Sequence, residues 1–296
     1  MTNPAEIYEL AIGDRSYSSW SLRGWLVFAK GGIPVKTRKG RMYGPDFTRL
    51  LAEFAPAGLV PALRLPSGQV IAETMAIAET MADRHPEANL WPADPDDRAL
   101  ARWMTAEMHA GFGALRSHCA MNLRVAYSDC APDDAVHKDL ARIEMLWSQA
   151  LGKHTEKGPW LFGNWSIADA FFAPVAARIA GHSLPVNPKS TAYVSTQIND
   201  PDFRRWRAMG ASEGADQPSY KRDWPVTEWP GPAPLLARAT EGKSINDTCP
   251  YSDDPVTHVL EMDGKIWGFC NAFCRDKTVA DPAAWPAFMA MISRLG

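Results

Sequence analysis

Residues 7 to 12 (IYELAI) alternate in the period of a strand with one buried face. A serine-rich turn leads into SWSLRGWLVFAKGG, whose apolar positions recur at helical spacing and whose end is marked by Gly31 and Gly32. IPVKTR reads as a second strand, completing a βαβ unit, and DFTRLLAEFAP as a short helix. PALRL and QVIA read as a hairpin around Pro66, Ser67 and Gly68, and ETMAIAETMADRHP as a third helix. These elements predict an α/β domain over 1–86.

From Pro95 the periodicity is helical only. Leu100, Trp103, Met104, Met108, Phe112, Leu115 and Cys119 step by three or four and predict one apolar stripe. Residues 133–151 form another helix, stopping near Gly152. In GNWSIADAFFAPVAARIAG, Ser166 and Asp169 stand in S-x-x-D register, the signature of a capping box and hence of a structural role. Ile167, Phe171, Phe172, Val175 and Ile179 follow on one face, and Pro174 predicts a kink. An all-helical domain over 95–209 follows.

Beyond it the texture changes. Residues 210–245 are rich in Gly and Pro with no sustained period, an extended linker able to drape over the helical domain through Trp224 and Trp229. Residues 246–296 form a small cysteine-containing α+β module: THVLEMDGKIWGF is a hairpin turning at Asp263-Gly264, and Cys270 and Cys274 lie one helical turn apart.

Composition changes this picture little. The 296 residues suit more than one domain, and 46% hydrophobic content supplies sizeable cores. A net charge of −3 gives no electrostatic case for nucleic acid or an anionic membrane. The start MTNPAEIYEL lacks the basic and apolar regions of a secretory signal, and the apolar runs are too short to span a bilayer. Five cysteines, an odd number, fit a reducing compartment, so a cytoplasmic location is expected.

Candidate chemistry collects at three places. Pro61 cannot donate to a strand ladder, so Val60-Pro61 is expected at a bend that leaves the backbone of Val60 open to a ligand. Glu73 and Thr74 bring a carboxylate, a hydroxyl and unpaired amides to a helix start, where an anionic ligand end binds well. Ser16, Ser18 and Ser19 surround the start of the first helix.

In their order and spacing, RSYSSWSLR, the VP at 60 and 61, the ET at 73 and 74 and GNWSIADAFFAP resemble the glutathione S-transferase family over about residues 5 to 210. The resemblance implies a thioredoxin-like domain followed by an all-helical one, and a homodimer. It implies that Val60 and Pro61 bind the glutathione backbone, that Glu73 and Thr74 hold its γ-glutamyl end, and that a hydroxyl lowers the thiol pKa from about 8.5. Alignment with the SWRVR of zeta-class enzymes puts Ser16 at the hydroxyl position and Ser18 where that class carries cysteine; the helix-start physics favours Ser18 or Ser19. His109, Arg116 and Arg124 read as a solvated helix face beside the second-substrate site, with Tyr17 and Trp20 as possible walls.

Cys249, Cys270 and Cys274 stand in C-x20-C-x3-C, a spacing that can gather three thiolates for Zn²⁺ or another soft metal. His258 is the first choice of fourth ligand, then Asp247 or water. The segment resembles TRASH and YHS metal-binding modules with a treble-clef-like fold; reduced thiols in a small core and a redox role are the alternatives. Cys119 and Cys130 are expected as helix or loop thiols. The leading expectation is a glutathione transferase joining the thiolate to a small hydrophobic electrophile. Glutathione-dependent isomerisation or reduction, or a noncatalytic metal-binding protein on a transferase body, are the alternatives.

Overall fold

Tyr8–Ile12 forms β1, with Leu10, Ala11 and Ile12 fully buried, in a computed structural model that describes residues 7–154 and 156–295. Helix α1 (Ser19–Gly31) begins at Ser18, whose side chain accepts from the Ser21 amide, and ends at Gly32. At φ 64° that residue holds the left-handed conformation that a Cβ disfavours. β2 (Val35–Lys39) lies parallel to β1; α2 (Pro45–Glu53) follows. β3 (Ala62–Arg64) and β4 (Val70–Ala72) form the expected hairpin, giving the sheet order β2-β1-β3-β4. Leu10 stands opposite Leu63, and α3 (Thr74–Arg84) packs on α1. This is the α/β domain the alternation predicts, in the thioredoxin-like arrangement the resemblance implies.

The helical part comprises α4 (Pro95–Ala110), α5 (Gly113–His118), α6 (Asp134–His154), α7 (Ile167–Gly181) and α8 (Pro188–Asn199). The stripe expected from Leu100 to Cys119 is interrupted. Gly111 ends α4 where an added Cβ would meet the Glu107 carbonyl at 2.8 Å, and Phe112, at φ 59°, turns the chain into α5. Trp103, expected in the stripe, is 48% exposed. The capping box forms as read, α7 runs through Pro174 without a break, and nearly all of α7 is buried. Trp147 fills the core edge-on to Phe172 and Tyr193.

Contacts divide the described residues into two units: those up to 198 with 217–230, and 199–216 with those from 231 onward. This partition differs from the boundaries read from sequence. β6 (Val226–Thr227) pairs with β5 (Ala126–Tyr127), and Trp224 packs on His118, Tyr127 and His182, so that part of the supposed linker belongs to the first unit. α9 (Pro201–Ala211), read with the helical domain, belongs to the second: the Arg204 guanidinium grips both oxygens of Asp281 at 2.8 and 2.7 Å.

The second unit also holds the sheet β7 (Arg238–Thr240), β8 (His258–Met262) and β9 (Lys265–Phe269), then α10 (Ala272–Ala280) and α11 (Pro286–Leu295). The β8–β9 hairpin turns at Asp263 and Gly264, both at positive φ, as the sequence predicts. Leu260, Trp267, Phe269 and Phe288 form its core. Among the described residues no helix is long and apolar enough to cross a membrane.

Candidate functional site

A cavity of about 570 Å³ in the first unit gathers Ser18, Ser19, Trp20 and Val60 with Arg116 and Arg178. Its size suits a small ligand. The three candidate serines differ sharply. Ser18 caps α1, and its hydroxyl lies 2.7 Å from that of Ser21, which also accepts from the Gly13 amide. The Ser19 hydroxyl accepts from Arg178 Nη2 at 3.4 Å, leaving its proton available to another acceptor. Ser16 is 2% exposed, does not line the cavity, and its hydroxyl has no partner among the described residues. Ser19 and Trp20 also open α1, where backbone N–H groups lack intrahelical acceptors.

Val60 lies on the cavity wall just before β3, and its bond to Pro61 is cis. Glu73 and Thr74 stand at the start of α3 as read: Thr74 is buried, while the Glu73 side chain is exposed and 3.5 Å from His109 Nε2. Glu73 holds φ 66°, a strained value for a residue with a Cβ, of the kind that persists where surroundings enforce it. Neither residue lines the cavity directly. The His109 ring, 5.0 Å from that of Trp20, joins Glu73 to the cavity wall.

The cationic side of the cavity was missed in the sequence. Arg116, read as part of a solvated face, lines it with its guanidinium 4.9 Å from the Trp20 ring. Arg178, on α7, is 5% exposed and donates to the Pro174 carbonyl at 3.1 Å as well as to Ser19. Arg23, fully buried beneath Trp20, donates to the Phe171 carbonyl at 2.9 Å, while both its terminal nitrogens have no hydrogen-bond partner among the described residues. Burial, with repulsion from Arg116, lowers the Arg178 pKa to about 10; burial, then Arg178 and Arg116, lower that of Arg23. Among the described residues none of the three has a carboxylate partner. Such a cluster is unfavourable alone and attractive to an anion.

From residues 217–230, Tyr220 joins the wall and Gln217 anchors the segment behind it. Gln217 Nε2 donates to Asp14 Oδ2 and to the Met42 carbonyl, and its amide donates to the Tyr17 hydroxyl. Tyr220 lines the cavity, packs on Tyr17 at 4.8 Å and reaches the Tyr43 hydroxyl at 3.2 Å. Burial raises the Tyr220 pKa, so its phenol stays protonated at neutral pH. Tyr17 and Trp20 do wall the site.

In the second unit the sulfurs of Cys249, Cys270 and Cys274 lie within 4.8 Å of one another. His258, expected as the fourth ligand, is outside this group and its Nδ1 lies 2.9 Å from Thr257 Oγ1. Cys119 is buried and Cys130 half-buried; burial pushes the Cys119 thiol up to about 12, so it is inert at neutral pH.

A thioredoxin-like sheet with its hairpin and third helix, followed by a helical bundle that closes a cavity over α1, is the fold of the glutathione transferases, and this chain shares it. Residues 17–84 match the family described as glutathione S-transferase, N-terminal domain. Among characterised proteins the chain is similar to the probable maleylacetoacetate isomerase of Caenorhabditis elegans, 26% identical over 181 residues that cover 60% of this chain and 81% of the relative. It is similar also to the maleylacetoacetate isomerase of Rattus norvegicus, 25% identical over 186 residues, 60% and 80% of the two chains. Among solved structures, a glutathione transferase homologue from Burkholderia with bound glutathione superposes with a TM-score of 0.53 at 22% identity, covering 70% of this chain and 99% of the other. Glutathione transferase Omega 2S from Trametes versicolor, in complex with 2,4-dihydroxybenzophenone, gives 0.52 at 22% identity, covering 68% and 93%. At these identities the structural likeness establishes the fold.

Proposed function

We propose that the chain uses the thiolate of glutathione to attack a small unsaturated carboxylic acid and then releases it, so that the net reaction is isomerisation. The observation that carries this reading is the meeting of Ser19 with Arg116 and Arg178 on one cavity that also includes Val60. Val60 would hold the glutathione backbone, and Glu73 with Thr74 its γ-glutamyl end. The Ser19 hydroxyl, polarised by Arg178, donates to the sulfur and favours its thiolate. Addition to a conjugated double bond moves negative charge onto the acyl oxygen, where a guanidinium stabilises it. The former double bond, now single, rotates; elimination of the thiolate restores the alkene in the other geometry and returns glutathione.

A second reading, conjugation to a hydrophobic electrophile, draws on the apolar lining of Met42, Phe47, Leu59 and Met121. Product analysis separates the two. Purified protein is given glutathione with maleylacetoacetate and, separately, with a neutral aryl halide. The proposal expects glutathione-dependent isomerisation with glutathione unconsumed; a stoichiometric conjugate of the acid, or no retention on immobilised glutathione, contradicts it. A cytoplasmic homodimer belongs to the same proposal, and sedimentation of the purified chain at micromolar concentration tests its stoichiometry.

A further inference from the structure

The second unit carries a side-chain cluster that the transferase chemistry does not use. Cys249, Cys270 and Cys274 are free thiols, and the Cys270 and Cys274 sulfurs are 3.9 Å apart. Metal–sulfur bonds of about 2.3 Å place thiolates about 3.8 Å apart at a tetrahedral ion and about 4.0 Å apart in a trigonal plane. The spacing of this pair is therefore that of two ligands on one ion.

The backbone presents the sulfurs from three directions. Cys249 opens a tight turn in which its amide donates to the Asp254 carbonyl at 2.9 Å and its carbonyl accepts from Asp253 at 3.0 Å. Cys270 follows the end of β9. Cys274 lies in the first turn of α10, with its amide on Asn271 Oδ1 at 2.8 Å. Both of these sulfurs lie at the start of a nine-residue helix. Asn271 Nδ2 at 3.2 Å and Ser252 Oγ at 3.4 Å donate to Cys270 Sγ, the kind of outer partner that steadies a ligating thiolate. No His, Asp or Glu among the described residues joins the three as a fourth ligand.

We propose that Cys249, Cys270 and Cys274 bind one soft, thiophilic metal ion through three thiolates, the donor set that selects Cu(I)-type ions over hard cations. The site is independent of glutathione chemistry, and Cd(II) enters it as a spectroscopic stand-in. The test loads the full-length reduced chain, without oxygen, with Cu(I) or Cd(II) against a competing chelator. We expect one ion per chain and a thiolate-to-metal charge-transfer band. Cys249→Ser, Cys270→Ser and Cys274→Ser each weaken binding at least tenfold, whereas His258→Ala and Cys119→Ser leave it unchanged. X-ray absorption of the Cu(I)-loaded native chain, which needs no variant to fold, should show three sulfurs at about 2.2–2.3 Å. Fewer sulfurs, an imidazole nitrogen in the shell, or binding that survives the three serine substitutions overturns the proposal.

Discussion

Replacing Arg178 by methionine separates a cation kept for a ligand from one kept for the fold. Burial and the neighbouring Arg116 lower the Arg178 pKa from 12.5 to about 10. At about 1.4 kcal/mol per pH unit, keeping this guanidinium charged costs the folded state about 3 kcal/mol. For a base with a depressed folded-state pKa, that cost is present at neutral pH, where both states are protonated. Methionine preserves an apolar stem but gives up the hydrogen bonds to Pro174 and Ser19, worth about 1 kcal/mol each. The variant should therefore gain about 1 kcal/mol, raising Tm by about 2–4 °C. A dicarboxylate such as succinate, at about a hundred times its Kd, should add about 2.7 kcal/mol to the native chain and little to the variant. Differential scanning calorimetry at fixed ionic strength, with chloride as the control, reads both effects. A fall in Tm of more than about 5 °C, or equal stabilisation of both proteins by succinate, refutes the reasoning.

Other substitutions test the remaining parts. Ser19→Ala removes one donor to the thiolate, about 1.5–3 kcal/mol, so the bound thiol pKa should rise by about 1–2. A pH–rate profile should then show kcat/KM down about 10- to 100-fold at about pH 6.5 and largely recovered above about pH 9. Ser16→Ala should leave that profile in place, and Ser18→Ala should chiefly lose the α1 cap, about 1 kcal/mol by thermal melting. Glu73→Gly relieves a positive φ and should stabilise the chain by about 1 kcal/mol while weakening glutathione binding at least tenfold by calorimetric titration. Asp169→Ala strips the acceptor from the Leu161 and Ser166 amides and the Tyr193 hydroxyl, and should lower Tm by about 6–12 °C. Burial raises the Asp169 pKa to about 6, so its contribution is fullest below about pH 4 and declines as the pH rises through 6; Asp169→Asn should flatten that dependence in a pH series of melts.

Local chemistry was readable along the chain. Gly32 takes the left-handed close of α1, Ser166 and Asp169 pair as a capping box, and Asp263-Gly264 turns a hairpin, because each depends on neighbours within a few residues. The order of serines, VP and ET likewise pointed to the thioredoxin-like domain. What escaped was assembled by tertiary packing. Arg23, Arg116 and Arg178 come from α1, α5 and α7, whose separation leaves no periodic mark, and a basic residue on a helix reads as solvated by default. Gln217 and Tyr220 lay in a Pro- and Gly-rich stretch whose weak periodicity concealed its hydrogen bonds to Asp14 and Tyr43. The break at Gly111 was hidden because apolar spacing continues through it while the backbone does not.

The central claim is that this cavity holds glutathione with its sulfur beside Ser19 and Arg178. Titrating the ultraviolet absorbance of the thiolate in protein saturated with glutathione tests it most directly, with S-methylglutathione as the blank. The account predicts a midpoint at least one pH unit below the free-thiol value of about 8.5, shifting upward in Ser19→Ala. Saturable binding with an unshifted midpoint, or no binding at millimolar glutathione, would contradict it.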